Sequence, residues 1–230
     1  MVLLGGGVFT AQADTFYPDQ YWGGRVVNPT PTQYGDQIGA EFGISGVTVG
    51  SQGGMTSFKI QGEYFYNRVN NVGNAALPEF GPGDLYLNTN GWVATGTAPY
   101  ASDTFTQAEG WNLVVTDGGV YQLDYSTIQY SSGPSGWVYR ADQAWRGGYG
   151  TKIADATVVL DETGMKFTLP SWVLGSGEVG YHHGEGCWND GVEGQVPLPS
   201  TVLLLGSGLT GLALWRKKGK VPWQQEGSQA

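Results

Sequence analysis

The densest cluster of potential ligands in the chain is His182-His183-Gly184-Glu185-Gly186-Cys187, which contains the side-chain types that bind zinc. Its spacing argues against one tetrahedral ion. Adjacent residues of a strand face opposite sides, and no second ligand pair with helical or knuckle spacing follows. The expected structure is a last strand with the two histidines on opposite faces and Cys187 buried as a small apolar side chain. Oxygen ligands are better supplied. Gly-Asp occurs at Asp36 and Asp84, and Asn189-Asp190 closes the same region, so Asp36, Asp84 and Asp190 are candidate calcium ligands in glycine-rich loops. The competing reading is that each is a turn residue bonding its own backbone, since the Asp-x-Asp-x-Asp-Gly loop is absent. Covalent chemistry has little to work with: there is no Gly-x-Ser-x-Gly elbow, and the only histidines are the adjacent pair. Carboxylates are plentiful, but none fall into a repeated pattern suited to glycoside hydrolysis. No catalytic residues are therefore assigned, and a glycan-active hydrolase stays the minor alternative.

Eight of the nine tryptophans lie outside the apolar run near the C-terminus, several beside glycine, as at Trp22, Trp92, Trp111 and Trp137. Core filling is the expectation for each one, because aromatics bury large areas in small β cores. Stacking of sugar rings on exposed indoles is the alternative, which would make the domain a carbohydrate-binding module.

The elements that must hold these residues are short. Among 230 residues, 39 Gly and 11 Pro interrupt regular structure, while 13% aromatic content supplies a core. A net charge of -9 excludes nucleic acid as a natural partner, and one Cys permits no internal disulfide. Apolar residues recur with a period near two: Phe42 and Ile44, Val47 and Val49, then Phe58, Ile60, Gly62, Tyr64 and Tyr66, with Gly62 marking a bulge or a close backbone approach. Leu113 and Val115 before Asp117-Gly118-Gly119, with Tyr121 and Leu123 after it, predict a hairpin. Val158 and Leu160, a turn at Glu162-Thr163-Gly164, and Met165, Phe167 and Leu169 predict another. No stretch of this region sustains a helical stripe. The fold class expected is all-β, an antiparallel two-sheet sandwich or jelly roll, with a closed barrel as the alternative.

Both ends differ from this body. Residues 1–13 hold a short apolar, glycine-rich run ending in Ala11-Gln12-Ala13, the small-x-small pattern of a signal peptidase site, with Ala11 and Ala13 as its small residues. The basic head of a signal peptide does not precede it, and a buried N-terminal strand is the other reading. The body, 14–195, carries a net charge of -12, whereas residues 196–230 carry +3. In that last part Val196-Pro197-Leu198-Pro199 precedes an apolar run to Trp215, stopped by Arg216, Lys217 and Lys218 and followed by a polar tail, 219–230. A transmembrane helix is expected over 201–215, with the basic cluster holding the C-terminus on the cytoplasmic side. Those 15 residues barely span: as helix they measure about 22 Å against roughly 30 Å of hydrocarbon.

This order of parts, a Pro-x-Pro motif, a Gly/Leu-rich apolar run and an Arg/Lys stop over 196–218, resembles the PEP-CTERM sorting domain of exported proteins of Gram-negative bacteria. Leu198 stands where the usual motif has Glu. The resemblance implies export, transient tethering in the inner membrane, and cleavage near the motif by an exosortase, a membrane cysteine peptidase. The product would reach the cell surface or an exopolysaccharide matrix. Tyr21-Trp22-Gly23-Gly24, Gly35-Asp36-Gln37-Ile38-Gly39, Gly83-Asp84-Leu85-Tyr86-Leu87 and Cys187-Trp188-Asn189-Asp190-Gly191-Val192-Glu193-Gly194 are similar to the ectodomains of one group of such proteins, which implies no catalytic activity. An uncleaved single-pass anchor is the plainer alternative for the C-terminus. The function expected is a structural or adhesive role outside the cell.

Overall fold

The computed structural model describes residues 12–20, 40–76, 81–94, 96–98, 100, 109–124, 150–184 and 190–197. These residues form two antiparallel sheets. The first contains, in spatial order, β1 (Gln12–Pro18), β2 (Ile44–Gln52), β3 (Met55–Gly62), β9 (Gly164–Pro170) and β8 (Thr157–Asp161). The second runs β11 (Gly191–Pro197), β10 (Glu178–Gly184), β4 (Leu85–Asn88), β5 (Leu113–Thr116), β6 (Gly119–Gln122) and β7 (Lys152–Ala154). One apolar cluster draws on both, with Val47, Phe58 and Phe167 from the first and Leu87, Val115 and Val179 from the second. The two-sheet, all-β expectation therefore holds for the described residues.

Both anticipated hairpins form in the expected places. Leu160 faces Met165 and Asp161 faces Gly164 around Glu162-Thr163, while Thr116 faces Gly119 around Asp117-Gly118. Thr163 N donates to the Asp161 carboxylate at 2.7 Å, the side-chain-to-backbone bond that makes Asp a turn former. In the second hairpin the apolar face differs from the simple alternation. Val120, facing Val115, belongs to the main core, whereas Tyr121, facing Val114, packs on the opposite side of the sheet with Trp111 and Tyr86. The second sheet is thus buried on both faces along its middle.

Two strand expectations are overturned. Phe42 ends a 3-10 turn, Ala40–Phe42, ahead of β2 rather than lying in a strand. The period-two series from Phe58 continues through Tyr64 and Tyr66 in sequence, but β3 stops at Gly62 and the chain turns into a short helix, α1 (Glu63–Val69). Gly62 is the point of close approach: a Cβ there would lie 2.2 Å from Gly43 O and 2.7 Å from Ile44 Cα. Tyr64 N then donates to the same Gly43 carbonyl at 3.2 Å, which starts the turn. Helix α1 buries Tyr64 and Phe65 and leaves Tyr66 in solvent. Arg68 donates to Ala75 O at 3.0 Å, holding the following segment against the helix.

Replacing Gly62 by Ala should destabilise the domain by about 1–3 kcal/mol through this backbone collision. The check is a urea melt: a lower midpoint with an unchanged slope is expected, and an unchanged midpoint would contradict it.

Candidate functional site

Strands β4, β10 and β11 bring the chemically capable side chains together. In the antiparallel register His182 sits directly opposite Glu193 on one side and Tyr86 on the other, so the three lie in one row across the outer face of the second sheet. His182 Nδ1 is 2.7 Å from Glu193 Oε2, and both side chains are 0% exposed. The other carboxylate oxygen, Oε1, accepts the indole N–H of Trp92 at 2.5 Å. Tyr86 meets the imidazole edge-on at 6.0 Å between ring centroids, and Trp111 lies 5.6 Å away. Trp111 repeats the theme, donating its indole N–H to the buried Glu109 at 2.7 Å. Asn88 secures that corner by donating to Glu109 O at 2.7 Å.

A polar residue on the outer face of a strand normally meets water. Here the chain after β4 closes over it, and glycine makes this possible: a Cβ on Gly180 of β10 would lie 3.1 Å from Gly91 O and from Trp92 Cα. On the inner face of the same strand pair, Tyr181 lies across Gly194, whose Cβ would come 2.7 Å from the phenol oxygen. Burial raises the Tyr181 pKa above its ordinary range, with smaller contributions from Asp19, Tyr17 and Glu193. Strand β11, an edge strand, is therefore gripped from both faces.

A second carboxylate fixes where β11 begins. Asp190 Oδ2 accepts the Ile44 N–H at 2.6 Å and Oδ1 accepts the Gly191 N–H at 2.8 Å, joining the first residue of β2 in one sheet to the first residue of β11 in the other. Asp190 thus serves as a buried hydrogen-bonding hub. Asp84 contributes its backbone: its carbonyl accepts from His183 Nδ1 at 3.2 Å. No group of three His, Cys, Asp or Glu suited to a metal occurs among the described residues, and Asp36 and Cys187 lie outside them.

The two histidines face opposite ways, as adjacent strand residues must. His183 points into the main core, with its ring 5.6 Å from Phe167 and 6.2 Å from Phe65. Burial there, together with the neighbouring His182, lowers its pKa to about 3 despite the bond to Asp84. The Asp84 bond puts the proton on Nδ1, and Nε2 has no hydrogen-bond partner among the described residues. A His–carboxylate pair is also the orienting half of a nucleophilic triad. His182 and Glu193 are fully shut from solvent with both carboxylate oxygens engaged, so in this arrangement they act as a structural latch.

The outer face of the first sheet is open. A cleft of about 230 Å³ crosses it, floored by Gly50 and lined by Asp14, Gln52, Ser57, Lys166 and Thr168. Beyond Met55, which pairs with Pro170 of β9, the turn Ser171–Leu174 presents Trp172, 69% exposed. Leu174 is buried, Ser171 N donates to Gly54 O at 2.8 Å, and the Ser171 and Thr56 hydroxyls are 2.8 Å apart, so the turn is firmly seated.

Comparison with known families finds the PEP-CTERM protein-sorting motif over residues 195–218. The chain carries a sorting signal of exported proteins. No curated protein and no solved structure matches it. The PEP-CTERM motif overlaps the fold: β11 runs through Pro197, with Val196 buried opposite Val179 and Pro197 opposite Glu178. Pro197 is thus the last residue of an extended strand, and Val196 beside it is not accessible. Leu198, Pro199, Arg216, Lys217 and Lys218 lie outside the described residues, as does the expected transmembrane helix, 201–215. No helix among the described residues is long and apolar enough to cross a membrane. At the other end, Ala11 lies outside the described residues, while Ala13 is exposed in edge strand β1. A cut after Ala13 would leave the Thr15 to Pro18 pairs with β2 intact.

Sequence reasoning missed Glu193, Glu109 and Asp190 as buried anchors. One substitution tests the first of them. Glu193→Ala leaves His182 and the Trp92 N–H without their buried acceptor and should cost about 2–6 kcal/mol in a denaturant melt, since each buried donor left unsatisfied costs about 1–3 kcal/mol. A loss below about 1 kcal/mol, the range of an exposed pair, would contradict the latch. His183 gives a pH signature. It is neutral when folded and takes up a proton near pH 6.5 when unfolded, so stability should be flat above about 6.5 and fall by up to ~1.4 kcal/mol per unit from there toward pH 3. His183→Leu should flatten its share of that acid limb, and melts of both proteins from pH 7 to 4 measure the difference.

Proposed function

We propose that this chain is an exported all-β protein with a structural or adhesive role at the cell surface or in the extracellular matrix. The observation that carries the reading is the PEP-CTERM motif at residues 195–218, placed directly after an acidic, sheet-rich body. The motif implies export, transient membrane association and processing by an exosortase. The latches around β11 fit a module that keeps its shape after leaving the cell without any disulfide, since one Cys permits none within the chain.

A second reading, contact with exopolysaccharide, is favoured by Trp172. A firmly seated, exposed indole is the kind of side chain that stacks on a sugar ring while hydroxyl, amide and charged groups bond the ring's edges. The cleft offers donors and acceptors of both charges in Lys166, Asp14, Gln52 and Ser57.

Fractionation of cells expressing the full chain tests the main reading. With an exosortase present, the protein should pass from the membrane fraction to the surface or medium at reduced mass; without one it should stay in the membrane fraction. Full-length protein accumulating in the cytosol in both cases would contradict it. A polysaccharide pull-down tests the second reading: binding should be saturable and lost in Trp172→Ala, a surface change expected to leave stability within about 0.5 kcal/mol.

A further inference from the structure

We propose that processing leaves β11 whole in the mature protein, with the cut at or beyond the Pro197–Leu198 bond, so that the folded sheet sets the upstream limit of cleavage. The inference rests on the reading that the sorting segment is processed. It adds where the product ends and what fixes that end.

The motif and the fold compete for the same residues. The sorting match begins at Gln195 and its first proline is Pro197, yet residues Gly191 to Pro197 are paired one by one with β10. A peptidase needs its substrate strand unpaired and extended, so bonds inside a sheet are cut only from an opened state. Opening β11 would withdraw Val192 and Val196 from the core, uncover Tyr181 opposite Gly194, part Glu193 from His182 and Trp92, and release the Asp190 bridge to Ile44. Edge strands elsewhere fray readily; this one is tied down at its start, its middle and its end. The bonds Gln195–Val196 and Val196–Pro197 are therefore closed to the enzyme while the body is folded. Pro197–Leu198 is the first bond past the strand.

In the cleavage itself one amide C–N bond breaks. Its carbonyl carbon takes the hydroxyl of water, or the nitrogen of an acceptor amine if the protein is transferred, and its nitrogen leaves as the amine of the sorting fragment. The mature chain then retains Glu193, Val196 and the full β10–β11 ladder.

The full chain should be expressed with an exosortase, and the released product analysed by intact mass and C-terminal peptide sequencing. A C-terminus at Pro197 or later is expected. A terminus at Val196 or earlier would overturn the inference while leaving processing itself established; a C-terminus still at Ala230 in every fraction would overturn the processing reading and the inference with it. The rate gives a second reading. If cleavage required β11 to open, Glu193→Gln, which weakens the latch, would speed processing tenfold or more. If the cut lies past the strand, the rate should stay within about twofold of the unaltered chain.

Discussion

The Glu193 carboxylate is the constraint on which much of this fold depends. It lies on an edge strand, on the face that would ordinarily meet solvent, and it is fully buried because one oxygen meets His182 and the other the Trp92 indole. Neither partner is optional: a buried carboxylate without its bonds is among the most unfavourable groups a protein can hold. The chain after β4 must therefore close over β10, and Gly180 must be glycine to let it approach. Trp111 and Glu109 repeat the same chemistry beside it, so this half of the second sheet acquires a small polar-aromatic core distinct from the main one.

Asp190 complements that latch. It ties the start of β11 to the start of β2, residues separated by most of the chain, and so links the two sheets where the last strand begins. An edge strand that leads into a sorting segment would be expected to fray. This one has a buried carboxylate at its first turn, another at its middle and a buried Val196 near its end.

What the sequence made legible was local. The hairpin from Val158 to Leu169 could be read because its alternation and its Glu162-Thr163-Gly164 turn agree, and the opposed histidines followed from strand geometry alone. Two failures share a cause. Tyr64 and Tyr66 extended the period of β3, yet contact between Gly62 and the Gly43 backbone ended the strand. Nothing beside Glu193 in the sequence marks it as buried, because the tryptophan that covers it comes from 101 positions away. Tertiary closure decided both. Glycines inside strands, at Gly180 and Gly194, were the available signals, since each marks a place where another group comes too near for a side chain.

Native-state hydrogen exchange on the full chain addresses the hold on β11 most directly. The β11 amides bonded to β10 should exchange as slowly as those of β10 itself, through an opening close to global unfolding. Rapid exchange of β11 alone, with β10 and β4 still protected, would show a frayed terminal strand and contradict the account.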